Sequence, residues 1–311
     1  MRKFLFLTLL LLQFSNAESD ISSGREGGTY IQIAREIAQT VAKDTGLNMS
    51  VIPSKGSKEN IKNMIENHKV KFSIIQHDII QLLKRSRRGK YRKLGEDIRV
   101  LLPLYMEEVH ILVRKKSNIE CLTDIKKGVV AIGPKGSGTA LSALLIFEQL
   151  FGRGTLTSDM IDRSNLKQAM EKLKKGEVDV VFAVGAQPIA DLVVDGEYRL
   201  IPFDDIISDQ YYETTIRKES YPWLERSVKV AGVMSFLVCN EANSIAPYKM
   251  REFGSNFLRR LKYLQDFGHK RWKEVKKRLP PLPSSQEWRY CKEFKRGWEK
   301  KNLRGDLRDQ R

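Results

Sequence analysis

Apolar positions along the chain recur with two alternating periods, and each change of period marks an element. After the glycine-rich stretch SSGREGGT at 22–29, Tyr30, Ile33, Ala34, Ile37, Ala38 and Val41 fall at helical spacing. NMSVIPS (48–54) alternates as a strand does, and SKGSKEN then opens a helix carrying Ile61, Met64 and Ile65. VKFSII (70–75) predicts a strand ending in Gln76, His77 and Asp78 before the helix IIQLLKRS. IRVLLPLY (98–105) and VHILVR (109–114) predict two strands, and VVAIG (129–133) a third, which runs into GPKGSGT and a helix, LSALLIFEQLFG, that is amphipathic or buried. A helix at 165–175, a strand at 178–184, a helix at 187–194 and a strand at 228–238 follow. The last predicted helix starts near Ser244, with Met250, Phe253, Phe257, Leu261 and Leu264 on one face. The alternation predicts an α/β protein with mainly parallel sheets. ESDISS, just before the first glycine loop, makes a poor strand.

Residues 1–17, MRKFLFLTLLLLQFSNA, change the picture. A basic start, an apolar run from Phe4 to Leu12, and Ser15 and Ala17 at small-residue positions predict a Sec signal cleaved after Ala17. The run is far short of the roughly 20 residues a membrane span needs. The protein is therefore expected in the periplasm, where there is no ATP pool. Of 311 residues, 55 are Lys or Arg and 38 Asp or Glu, for a formal net charge of +17. From Lys270 to Arg311 there are fifteen basic and six acidic residues, a tail that is either a solvated helical face or a polyanion-binding segment. Cys121, Cys239 and Cys291 allow at most one disulfide, which excludes a disulfide framework. The four histidines show no metal-ligand spacing, so neither metal nor cofactor is expected.

The candidate chemistry lies at strand-to-helix junctions. Gly27-Gly28-Thr29, Gly56-Ser57 and Gly136-Ser137-Gly138-Thr139 each combine glycine with a hydroxyl and have a cation beside them: Arg25, Lys55 with Lys58, and Lys135. In open α/β sheets ligands bind at the carboxyl ends of strands, and a helix N-terminus offers unpaired N–H groups and a positive dipole end. Gly133 and Gly138 have the spacing of a nucleotide P-loop, but Thr139 stands where that motif needs Lys. A small anion other than a nucleotide phosphate is the expected occupant. No serine has a nucleophile-elbow context and no histidine a triad context, so hydrolysis is not expected.

In order, SGREGGTYIQIAREIA, SKGSKENIKNMIENHKVKFSIIQHDII, IGPKGSGTALSALLIFEQL and LKKGEVDVVFAVGAQPIADL resemble the TAXI group of solute-binding proteins, the extracytoplasmic receptors of one branch of the TRAP transporters. The resemblance runs from about Ser23 to Asn240, with a weaker match at IRKESYP (216–222). It implies a two-lobed type II periplasmic-binding-protein fold with a hinge cleft, a carboxylate-bearing solute and docking to TRAP permease subunits. Ile31 and His77 depart from the group's pattern, as do Arg217, Lys218 and Glu219, which leaves open a solute sensor not coupled to transport.

The apolar stretches LLPLYMEEVHILVR and VKVAGVMSFLVCN are the two candidate crossings between lobes. Lobe one is then 18–104 plus 236–311, and lobe two 105–235. Expected ligand contacts on lobe one are Gly28, Thr29, Tyr30, Gly56, Ser57, Asn60, Gln76 and Asp78, with Ser57 and Asp78 alternatively helix caps. On lobe two they are Lys135, Gly136, Ser137, Gly138, Thr139, Gly185 and Gln187. The expected ligand is a small organic acid or amino acid, glutamate-like or dicarboxylic. A monomer is expected, and nucleic acid is not.

Overall fold

The computed structural model describes residues 19–125, 128–202, 211–282 and 288–305, with side chains to Glu299. The expected signal sequence and the expected cleavage site lie outside the described residues.

Each half of the molecule is built on the same plan. In the first, β1 (Asp20–Ser22) lies between β2 (Val51–Ile52) and β3 (Val70–Gln76), all parallel, and β3 then pairs antiparallel with β10 (Val228–Asn240). In the second, β5 (Val130–Ala131) lies between β6 (Ile161–Asp162) and β7 (Val180–Gly185), all parallel, and β7 pairs antiparallel with β4 (Ile98–Arg114). β4 and β10 pair with each other, so one continuous sheet runs β2-β1-β3-β10-β4-β7-β5-β6. β8 (Tyr198–Leu200) adds to β4, and β9 (Tyr212–Ile216) to β10.

Three expectations are corrected. The sheet is mixed rather than mainly parallel, because β4 and β10 run against every neighbour. The stretches 98–105 and 109–114 form one seventeen-residue strand, since Met106, Glu107 and Glu108 continue the ladder opposite β10. The helix expected at 187–194 is only a 3-10 turn at Ala190–Leu192: Pro188 has no N–H to give, and Val193 and Val194 favour extended backbone. The poor strand ESDISS does form β1, because it is fully buried between two partners whose ladders decide its conformation.

Helices cover the parallel strands: α1 (Thr29–Glu36), α2 (Ser57–Glu66), α3 (Ile79–Arg85) and α4 (Gly89–Asp97) in the first half, α5 (Gly138–Phe151) and α6 (Leu166–Lys175) in the second. α5 belongs to both. Leu141 and Leu145 pack with Ile61, Ile79 and Leu83 of the first half, while Ala143, Ile146 and Phe147 pack with Val130 and Phe182 of the second. A helix enclosed on several sides is apolar nearly all round, which explains LSALLIF.

The chain returns to the first half through α7 (Pro247–Phe267), a 3-10 turn at Lys270–Glu274, and α8 (Lys292–Gly305). Trp272 and Trp298 are fully buried there. The expected face of Met250, Phe253, Phe257, Leu261 and Leu264 is the buried one. All three cysteines are free thiols, Cys239 and Cys291 both in this core. α7 and α8 meet through glycine: a Cβ on Gly254 would overlap the Phe294 carbonyl oxygen, and one on Gly297 the Arg251 carbonyl oxygen. Alanine in a helix gains up to about 1 kcal/mol over glycine, but overpacking against a backbone carbonyl costs about 1 to 3 kcal/mol. Gly297→Ala is therefore expected to destabilise the protein in urea unfolding. A variant as stable as wild type would mean that the helices separate freely.

Candidate functional site

β2 and β5 lead into the Gly56 and Gly138 loops, and β3 ends at Gln76, beside Gly138. The glycine loops of opposite halves touch: a Cβ on Gly56, whose φ is +125°, would sit 3.1 Å from the Gly138 nitrogen. A Cβ on Gly138 would overlap the Gln76 carboxamide. Glycine at both positions is what lets the two chains approach so closely.

A polar cluster lies directly behind this contact. The Gln76 backbone N–H donates to Ser57 Oγ at 3.0 Å, and Ser57 Oγ donates to Gln76 Oε1 at 3.2 Å. Gln76 Nε2 donates to Glu107 Oε2 at 3.1 Å. The buried Tyr30 hydroxyl lies against Glu107 and Ser57, and burial, followed by the Glu107 charge, raises its pKa. Tyr30, Ser57, Gln76 and Gly138 thus lie together, around a carboxylate, Glu107, that the sequence did not single out. Burial raises the Glu107 pKa to about 7, and the charges of Asp78 and Glu108 push the same way.

Several expected contacts are committed within the protein. Ser57 is the first residue of α2 and Gly56 its N-cap, so the cap alternative for Ser57 does not hold. Asn60 is saturated: its Oδ1 accepts from Ser22 Oγ (2.7 Å) and Ser54 Oγ (2.6 Å), and its Nδ2 donates to the Ser23 (2.5 Å) and Ile74 (2.7 Å) carbonyls. It pins β1 and β3 to α2 and has nothing left for a ligand. Gln187 is saturated too. It donates to Glu108 and the Thr215 carbonyl, and accepts from the Arg217 N–H and Ser220 Oγ. Gly185 sits in the ladder opposite Glu108.

Ser137 is the N-cap of α5, its Oγ accepting from the Ala140 N–H at 3.1 Å. Thr139 Oγ1 accepts from the Val184 N–H at 3.1 Å and keeps its own proton to donate. Asp78 makes no side-chain cap on α3. Its Oδ2 instead accepts from Ser142 Oγ of α5 at 2.6 Å, tying the halves together, while its buried Oδ1 has no partner. Gly28 is the N-cap of α1, Thr29 begins that helix, and Gly136 has positive φ with open space around it. Arg25 pairs with Asp191 of the second half at 3.8 Å. Lys135 is exposed.

The sequence pattern did not reveal a buried charged cluster on β4. Glu108 accepts from the Gln187 N–H and Nε2, both at 2.9 Å, and from Arg271 Nη2 at 3.2 Å. Arg271 also donates to Glu274 Oε1 at 2.5 Å, and Glu274 Oε2 accepts from the Met106 N–H at 3.1 Å. Beside them, His110 Nδ1–H donates to the Glu108 carbonyl at 2.9 Å, and the Tyr221 hydroxyl donates to Nε2 at 2.8 Å. Burial lowers the His110 pKa to about 4, which keeps the ring neutral. Two adjacent carboxylates inside an otherwise apolar run were the available signal, since a buried charge needs a reason. Arg271 gave none, lying in a basic tail that reads as solvated.

The NMT1-like family model matches residues 21–246. The chain belongs to the NMT1-like family. XAC2383 from Xanthomonas citri, solved bound to ATP, is similar in structure to this NMT1-like chain with a TM-score of 0.52 and 12% identity, over 91% of this chain and 98% of that one. The arginine-, lysine-, histidine-binding protein ArtJ from Geobacillus stearothermophilus gives 0.49 and 15%, over 86% of this chain and 99% of that one. The periplasmic sulfonate-binding protein SsuA from Methylobacillus flagellatus gives 0.48 and 14%, over 89% and 76%. At 12% identity the likeness to XAC2383 is one of fold. The NMT1-like chain is the α/β protein that its sequence predicts, with a mixed rather than mainly parallel sheet.

Proposed function

We propose that the protein is a periplasmic solute-binding receptor that closes on a small organic acid at the junction of its two halves and hands it to a membrane permease. The observation that carries this reading is the contact between the Gly56 and Gly138 loops, each opening a helix toward a buried, incompletely satisfied polar cluster. Helix N-termini facing each other across two halves form an anion trap that is complete only when closed. The lobes are assigned as 18–104 with 236–311 and 105–235. The crossings fall near Tyr105 and Ser235, where the β4–β10 register shifts and Ser235 Oγ donates to the Tyr105 carbonyl at 2.9 Å. The ligand contacts retained are Thr29, Tyr30, Ser57, Gln76, Lys135, Ser137, Gly138 and Thr139, with no catalytic role for any of them. The TRAP class of permease is what the four ordered motifs imply.

A ligand that binds only the folded state at a hundredfold excess over Kd adds about 2.7 kcal/mol of stability. A thermal-shift screen of glutamate, succinate and related acids on the chain lacking residues 1–17 is expected to find one that raises the melting temperature. Stabilisation by nucleotides alone would overturn the proposal.

A further inference from the structure

Two of the three cysteines meet inside the core of the first half. Cys239 lies near the end of β10 and is fully buried, and Cys291 is 6% exposed at the start of α8. Cys291 is the N-cap of that helix: its carbonyl accepts from the Lys295 N–H at 3.0 Å, and its own N–H donates to the Val100 carbonyl of β4 at 2.8 Å. Both side chains belong to one apolar cluster with Phe253, Phe257, Phe294 and Trp298, and the two thiols hydrogen-bond to each other. Cys121 stands apart. It opens a 3-10 turn at Leu122–Asp124 in the second half, with its Sγ 3.0 Å from Thr123 Oγ1.

The two members of the pair differ in chemistry. The bond from Cys239, with the N–H groups of Phe294 and Glu293, lowers the Cys291 pKa against the effect of burial. The same contact, with complete burial, raises that of Cys239. A helix N-terminus favours a thiolate, and the thiolate is the species that attacks a disulfide. Cys291 is also the member nearer the surface. Two buried thiols in contact can hold a metal or be oxidised together. Among the described residues no histidine, aspartate or glutamate joins them in a group that could hold a metal ion, which leaves oxidation.

We propose that Cys239 and Cys291 form a disulfide in the exported protein, closing residues 240–290 into a covalent loop. The Cys291 thiolate attacks one sulfur of a dithiol–disulfide oxidant and expels the other as a thiolate. The Cys239 thiol gives up its proton, attacks the Cys291 sulfur of the mixed disulfide and expels the second oxidant thiolate. The pair loses two electrons and two protons, and the oxidant's disulfide becomes a dithiol. The loop so closed contains α7 and Arg271, the buried partner of Glu108, so the bond ties the returning chain to the sheet. The periplasmic reading supplies only the oxidant, because that compartment is oxidising. The pairing itself rests on the contact between the thiols.

The test counts thiols. Protein recovered from cells and treated with a maleimide in denaturant is expected to take up one label, at Cys121, and three after reduction. Digestion without reductant is expected to yield Cys239 joined to Cys291. Reductant should lower the melting temperature by about 5 to 10 °C, the scale for a loop of this length in a chain of this size. Cys239→Ala and Cys291→Ala should melt at the reduced value with or without reductant, and Cys121→Ala should change neither the link nor the shift. Refolding the purified reduced chain in oxidised glutathione separates pairing from location: closure there but not in cells would support the pairing and count against a periplasmic protein. Three free thiols after that refolding would overturn the inference, and so would a link that includes Cys121.

Discussion

Arg271→Leu is expected to destabilise the protein by about 3 to 5 kcal/mol, the cost of leaving one member of a buried ion pair alone. Arg271 is 8% exposed and Glu108 2%. With Arg271 gone, Glu108 keeps only its two bonds from Gln187, both neutral, and Glu274 loses its partner beside the Met106 N–H. The guanidinium also lies 5.7 Å from the Tyr105 ring centre, so some packing is lost with the charge. Adding Glu108→Gln should restore most of the loss, because an uncompensated buried charge costs more than a missing hydrogen bond. Urea unfolding of wild type, both single variants and the double variant closes the cycle. A loss below about 1 kcal/mol for Arg271→Leu would show that water reaches Glu108, and that the fold does not depend on this pair.

This cluster lies beyond what local sequence pattern can report. Apolar periodicity located the helices and buried strands because each element follows its own local pattern, as α6 does with its Asn165 cap and Gly176 terminus. Strand direction is not local. β4 and β10 read as the same apolar run whether their neighbours lie parallel or antiparallel, so the sheet was expected to be mainly parallel. β1 was undervalued for a similar reason: DIS carries little strand preference, and two flanking ladders supply the rest. At the contact between the glycine loops, Tyr30, Ser57, Gln76 and Gly138 are legible as small or polar residues at strand-to-helix junctions. Asn60 and Gln187 had the same appearance but spend every donor and acceptor on the scaffold. Saturation is a property of partners far away in sequence, and composition at a junction cannot report it. Arg271 is the extreme case, lying 163 residues from Glu108.

Raising the pH from about 4.5 to 8 is expected to cost wild type about 3 kcal/mol more than it costs Glu107→Gln. Glu107 is raised from an ordinary 4.5 to about 7, chiefly by burial. Between those values the folded state holds a proton that the unfolded chain has released, so stability falls by about 1.4 kcal/mol per pH unit and levels off above 7. His110, lowered from 6.5 to about 4, acts in the opposite sense: its folded form resists protonation, so stability falls as pH drops through that range. The two slopes nearly cancel in wild type between about 4.5 and 6.5, and Asp78, also raised by burial, adds to the Glu107 slope. The difference between wild type and variant removes His110 and most of Asp78, leaving Glu107. Glutamine suits the site, since its Oε1 can accept from Gln76 Nε2 and its amide can donate to the Tyr30 hydroxyl that lies against Glu107. Unfolding free energies at half-unit pH steps on both proteins measure the difference directly. A difference that does not change with pH would mean that Glu107 is ionised in the folded state throughout. In that case an anion arriving beside Gln76 would meet a fixed negative charge instead of a proton donor.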